Sequence, residues 1–327
     1  MSVQPVIAAP RSAMAHSSLK GVAAMALAMA MFVTNDTLLK LAMREIPLGE
    51  ALGLRSFGAG VFLFALVAVS GDWVAIRYAF QRRVMLRSSL DTVTTFVYVA
   101  ALAVMPIAST TTIYMATPLI TTALAMPMLG EKVGWRSWCA ITVGFMGAVI
   151  VTRPDPATFS AIALLPLIAA FSGSVRDVAT RGIGAQIPGT IVGLSGTIVL
   201  SLTSAVFALW ETWQVPSALV LLYLVASGAA FAIGSLLLVF AFRNAPIASV
   251  SPLRYLLVFG ALVSGYFVFG DLPDAWTTIG MVLVVGAGIY ALQSEHAKSR
   301  AARRQDQLAV AGGAGCQPAV ACAPPRD

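Results

Sequence analysis

Residues 106–131, PIASTTTIYMATPLITTALAMPMLGE, align without a gap on residues 246–271, PIASVSPLRYLLVFGALVSGYFVFGD. Pro106 meets Pro246, Ser109 meets Ser249, Gly130 meets Gly270 and Glu131 meets Asp271, at an offset of 140. Within one residue, the same offset carries Gly53-Leu54 onto Gly193-Leu194 and the pair Asp36 and Lys40 onto Asp177 and Arg181. The chain therefore reads as two related halves. Duplicated apolar segments of this kind are the pattern of a transporter.

Composition supports that reading. Hydrophobic residues make up 58% of the 327 positions and charged residues 11%, against about 25% charged in soluble domains. Apolar stretches of about 20 residues, enough to cross a hydrocarbon core, recur along the chain. Ten spans are expected: 19–42, 48–70, 87–105, 108–129, 135–152, 158–178, 188–210, 217–240, 247–268 and 275–293. The fold expected is an all-α membrane protein of ten transmembrane helices, arranged as two inverted five-helix repeats over 19–152 and 158–293. Residues 1–18 carry no apolar core of a cleaved leader and read as a cytoplasmic N-terminal segment. Residues 294–327 are polar, basic and then rich in Ala, Gly and Pro, which predicts a disordered cytoplasmic tail.

The net charge of +7 matters less than its distribution. With the N-terminus inside, sixteen Lys or Arg residues fall in inner loops and tails, whereas the outer side holds Lys40, Arg44 and Arg153. This bias places both termini in the cytoplasm of a cell with an inner membrane and argues against a nucleic-acid partner. Five spans per repeat is an odd number, so the second copy enters the membrane from the opposite side. The matched loops agree: Glu131 to Arg136 carries two cations, while Asp271 to Asp274 carries only acids. Cys139 lies in a span and Cys316 and Cys322 in the tail, so no disulfide framework is implied.

Several charged residues fall inside or near spans. Asp36 and Lys40 stand one helical turn apart, as do Asp177 and Arg181, so each acid can pair with its base along one helix face; alternatively the bases snorkel to headgroups. Either way these are candidates for proton coupling or gating. Arg55 and Arg254 each lie about 10 Å inside a span at ~1.5 Å per residue. Two readings stand for them: counter-charge for an anionic group on a cargo, or a buried ion pair with Asp36 or Asp91. The repeat sets Ser195 opposite Arg55 and Tyr114 opposite Arg254, so neither arginine is a symmetric scaffold element. Asp91 follows Arg87 by four residues, and interfacial pairing is the favoured account of it. Asn35, Tyr98, Tyr114 and Tyr255 offer an amide and hydroxyl-bearing rings suited to a cavity wall, although tyrosines at helix contacts are equally ordinary. Gly144, Gly147 and Gly280 suit close helix crossing, and Pro118 a mid-span bend.

Both histidines, His16 and His296, lie near the chain ends, which leaves a His-based hydrolase or a His-ligated metal without material. No nucleotide-binding loop is present, so transport would be secondary, with no cofactor and no metal.

These residues resemble the drug/metabolite transporter superfamily, in particular its ten-helix members with two EamA-type repeats. The resemblance covers roughly 20–293. It rests on Tyr98, Pro106-Ile107-Ala108, Pro118-Leu119, Leu129-Gly130-Glu131 and Gly144 with Gly147 in the first repeat. In the second it rests on Phe240-Ala241, Pro246-Ile247-Ala248, Tyr255, Phe269-Gly270-Asp271 and Gly280 with Gly286, where Asp271 replaces the usual Glu. Pro252-Leu253-Arg254-Tyr255 is similar to a subgroup that includes S-adenosylmethionine-type and riboflavin-type carriers. The resemblance implies a ten-helix bundle with inverted halves, a central cavity and alternating access for small metabolites.

The expected function is a secondary transporter, not an enzyme, moving a small polar cargo, zwitterionic or amino-acid-derived, as a monomer or homodimer in the bilayer. A membrane-embedded flippase or enzyme acting on lipid headgroups is the alternative.

Overall fold

The computed structural model describes residues 11–129, 135–152, 161–180, 183, 187–244, 251–290 and 293, and all of its regular elements are helical. Eleven α-helices follow in order: α1 (Arg11–Ala42), α2 (Leu48–Ser70), α3 (Arg82–Val104), α4 (Ile107–Tyr114), α5 (Thr117–Leu129), α6 (Trp135–Thr152), α7 (Leu165–Thr180), α8 (Gly189–Phe207), α9 (Ala218–Asn244), α10 (Leu256–Ser264) and α11 (Ala275–Tyr290). Among the described residues, four stretches are long and apolar enough to cross a membrane: Leu19–Ala42, Leu48–Ser70, Gly189–Trp210 and Ala218–Ala241. The other helices over the expected spans are shorter or, like α3, carry more charge.

Local chemistry explains where helices begin and break. Gly71 adopts φ 73° and closes α2, a left-handed turn that only glycine enters without penalty. The connection that follows is a 3₁₀ helix, Asp72–Phe80, whose Trp73 ring meets Phe64 edge-on with centroids 5.7 Å apart. The expected fourth span is two helices, because Pro118 has no amide proton for the carbonyl of Tyr114 four residues back. Thr117 supplies the missing donor, its hydroxyl reaching the Tyr114 carbonyl at 2.5 Å. Ser174 of α7 then donates to the Thr117 carbonyl at 2.9 Å. The expected ninth span begins as a 3₁₀ turn, Ser251–Tyr255, continues as α10 and ends as a π-helical turn, Gly265–Phe269, capped by Gly270 at φ 72°.

The packing order is specific. α1 runs along α9 and α3 along α7; α2 packs against α8 and α9, and α3 against α8; α5 lies on α7 and α10 on α1. Glycines set the closest crossings. A Cβ on Gly147 would lie 2.9 Å from the Gly280 carbonyl oxygen, so α6 and α11 meet backbone to backbone. A Cβ on Gly228 would lie 2.7 Å from the Arg55 carbonyl oxygen, which places α9 directly on α2.

Burial is inverted relative to a soluble protein. Phe57, Leu202 and Phe267 stand outward, 67%, 64% and 78% exposed, while Asn35, Asp36, Arg55, Thr92, Thr111 and Ser227 are buried. An apolar exterior around a polar interior is the arrangement that a hydrocarbon solvent favours.

Candidate functional site

A cavity of about 470 Å³ opens among α1, α2, α3, α4, α7, α9 and the Ser251–Tyr255 turn. That volume lies within the range of small-molecule sites. It extends from a layer holding Asp36, Arg55 and Tyr98 to the end of the bundle where α3 begins, α7 ends and Arg254 enters.

Asp36 is the buried acid of the first layer. Its Oδ1 accepts from the Asn35 amide at 2.8 Å and its Oδ2 from the Tyr98 hydroxyl at 2.7 Å. Tyr98 also stands 3.2 Å from the Thr111 hydroxyl, and its ring lies 4.9 Å from that of Tyr114. Arg55, 3% exposed, holds its guanidinium 4.4 Å from the centroid of Phe231 on α9. A desolvated cation over an aromatic face gains up to ~2 kcal/mol. Among the described residues Arg55 has no ion-pair partner, and its Nε makes no hydrogen bond. The expected direct pair with Asp36 or Asp91 is therefore not formed, because the Phe231 ring holds the guanidinium in a stack.

The second layer is an ionic cluster. Arg176 of α7 donates to Asp91 of α3 at 2.7 Å and to the carboxylate of its neighbour Asp177 at 2.8 and 3.0 Å. Arg87 reaches the second oxygen of Asp91 at 3.5 Å. Asp91 thus keeps the expected partner Arg87 within its own helix and takes a second, closer one in Arg176, which joins α3 to α7 on the cavity wall. Arg254 lines the same end and, among the described residues, has no ion-pair partner.

Two other expected residues stand elsewhere. Lys40 does not pair with Asp36, since Tyr98 and Asn35 occupy that carboxylate; Lys40 donates to the Met105 carbonyl and lies 5.1 Å from the Phe269 ring. Beside it, Arg44 lies 5.0 Å from the same ring, and Thr37 bonds Ser264 of α10 at 2.5 Å. Tyr255 is in the core with Met25, Met29 and Val284 rather than on the cavity wall. Arg181, and with it the expected pairing of Asp177 with Arg181, lies outside the described residues.

Sequence reading did not single out Arg176, Ser227 and Phe231 as site residues. The position of Arg176 beside Asp177 on one helix end was the available signal for it. Phe231 stood in plain view as the repeat partner of Asp91. A further polar interlock joins the connections after α1 and α8: the Glu211 carboxylate accepts from the Gly49 and Glu50 amides at the start of α2, and Glu50 accepts from the Gln214 amide at 3.1 Å.

Comparison with known proteins agrees with this geometry. Residues 19–153 match the EamA-like transporter family. An S-adenosylmethionine uptake transporter of Rickettsia prowazekii is 28% identical over 208 residues, covering 63% of this chain and 69% of the relative. A riboflavin transporter of Rhizobium johnstonii is 27% identical over 241 residues, covering 73% of this chain and 80% of the relative. A solved crystal structure superposes with a TM-score of 0.58 at 19% identity, covering 85% of this chain and 96% of the other, which supports the fold alone. The buried polar cavity within an apolar shell and these matches agree: the chain is a multi-pass membrane transporter whose residues 19–153 are similar to the EamA-like transporter family.

Proposed function

We propose that the protein is a secondary transporter of a small polar metabolite bearing both charges, zwitterionic or amino-acid-derived, working by alternating access. The observation that carries this reading is one cavity in which, among the described residues, Arg55 and Arg254 are in ion-pair contact with no carboxylate while Asp36 is held ready by two donors. The arginines would receive an anionic group of the cargo, with Asn35, Tyr98 and Tyr114 lining its path. Asp36 and Asp91 are the candidate proton-coupling acids. Asp177 and Arg181 are proposed for one gate and Lys40 for the other.

The architecture proposed is ten spans in two inverted repeats, 19–152 and 158–293, flanked by cytoplasmic segments 1–18 and 294–327. The packing order supports it. Exchanging α1 with α7, α2 with α8 and α3 with α9 converts the contact of α1 with α9 into that of α3 with α7, and the contact of α2 with α9 into that of α3 with α8. With both termini in the cytoplasm of an inner membrane, the cavity faces inward. The ties of Lys40 to Met105 and of Thr37 to Ser264 then close the outer end.

S-adenosylmethionine, the cargo named for the Rickettsia relative, has a carboxylate and cationic centres and is the first probe, followed by a thermal-shift screen of a metabolite library. Counterflow in proteoliposomes is expected for the hit and is expected to be lost in Arg254→Ala protein that remains monodisperse. Normal uptake by that variant would remove Arg254 from the site.

A further inference from the structure

Ser227 is not on the cavity wall, yet it is fully buried and directs a polar side chain across a helix interface. Its hydroxyl stands 2.9 Å from Asn35 Oδ1 and 3.1 Å from the Asn35 main-chain oxygen. A carboxamide has one accepting end and one donating end. With the oxygen engaged by Ser227, Nδ2 is turned toward Asp36, where it donates to Oδ1 at 2.8 Å. A hydrogen-bond chain therefore runs from α9 through Asn35 and Asp36 to Tyr98 on α3 and Thr111 on α4.

The second half of the chain contains a counterpart. At the offsets of 140 to 141, Asn35-Asp36 align with Arg176-Asp177, Ser227 with Arg87 and Phe231 with Asp91. There Arg176 donates to Asp177 and is itself held by Asp91. In both halves the residue preceding the acid donates to it, and a side chain from the partner helix, α9 or α3, fixes that donor. One version is neutral and the other ionic, so their shared feature is the orientation of the donor and not its charge.

We infer that Ser227 is a positioning residue of the transport site: it sets the direction of the Asn35 amide and thereby the donor presented to the Asp36 carboxylate. The inference rests on the reading that Asp36 belongs to the working cavity. The groups facing Asp36 are Arg55 from α2 and Tyr98 from α3; Asp91 of α3 and Arg254 of the Ser251–Tyr255 turn line the same cavity further along, and α9 presents Ser227 and Phe231. None of these constrains the Asn35 amide, which leaves Ser227 as its orienting contact.

The test is an infrared pH titration of the purified protein, with the Asp36 carboxyl band assigned by its loss in Asp36→Asn. Threonine and valine have nearly the same shape, so Ser227→Thr and Ser227→Val differ only in the hydroxyl. The expected result is a titration displaced to higher pH by about half a unit or more in Ser227→Val, because a freed amide can turn its oxygen toward the carboxylate. Ser227→Thr is expected to follow the wild type. A wild-type midpoint in Ser227→Val, or an equal displacement in both variants, would overturn the assignment. Because the titration needs no cargo, its outcome is independent of whether Arg55 and Arg254 bind the metabolite.

Discussion

Arg55 on α2 and Phe231 on α9 meet as cation and ring, 4.4 Å apart, at the point where Gly228 brings the two helix backbones together. The stack places a guanidinium on the wall of a polar cavity without committing it to a carboxylate, so it remains available to an anionic ligand group. Its planar shape is part of this arrangement. Lysine has neither the flat face nor the fork of donors.

Arg55→Lys is accordingly expected to lose at least about tenfold in counterflow, with a loss of ~1.4 kcal/mol or more in cargo binding. Phe231→Tyr keeps the ring and should retain most of the activity, whereas Phe231→Leu should behave like Arg55→Lys. Counterflow rates at saturating and limiting cargo distinguish binding from turnover.

Gly228→Val would force a branched side chain into the Arg55 backbone. Overpacking of about 1–3 kcal/mol is expected, seen as a lower melting temperature in detergent, together with loss of transport. Gly58 has no atom within 4 Å of a Cβ placed on it. Gly58→Ala is expected to melt within about 0.5 kcal/mol of the wild type.

Tyr98→Phe removes the donor to Asp36 Oδ2 while keeping the ring that packs, tilted, against Tyr114. The lost hydrogen bond to a charged group is expected to cost about 1.5–3 kcal/mol locally. Transport should fall while gel filtration stays unchanged. An unaltered pH dependence of transport in this variant would separate Asp36 from proton movement.

The ionic cluster predicts non-additivity. Asp91→Asn and Arg176→Gln each leave a buried partner uncompensated, so each single change should destabilise more than the pair changed together. A double-mutant cycle on melting free energy should return a coupling of about 1 kcal/mol or more.

The tie between Thr37 and Ser264 can be locked. In a background free of Cys139, Cys316 and Cys322, cysteines at 37 and 264 are expected to form a disulfide that stops transport until reductant is added. The hydroxyls of the native pair are 2.5 Å apart, so little backbone movement is needed. Full transport by the oxidised protein would show that these two helices do not separate during the cycle.

Much of this could be read from residue order. Apolar runs of about 20 residues located the long helices. The charges at Asp36, Arg55 and Arg254 stood out because a bilayer tolerates few of them. The errors have a common cause. Asp36 was paired with Lys40 by spacing along one helix, and the pairing of Asp91 with Arg87, which forms at 3.5 Å, left out its shorter partner; a buried side chain takes partners from whichever helix lies against it. Asp36 took Tyr98 from 62 residues away, and Asp91 took Arg176 from 85 residues away.

Composition and repetition are enough to specify a helical membrane transporter, since hydrophobic length and charge placement are properties of the chain read in order. Which side chains share the cavity is a different kind of fact. Ser227 meets Asn35 across 192 residues and Phe231 meets Arg55 because Gly228 permits α9 to lie on α2. Helix crossings of this kind follow from shape complementarity over whole faces, which no local spacing encodes, and they decide which polar groups are satisfied and which remain open to a ligand.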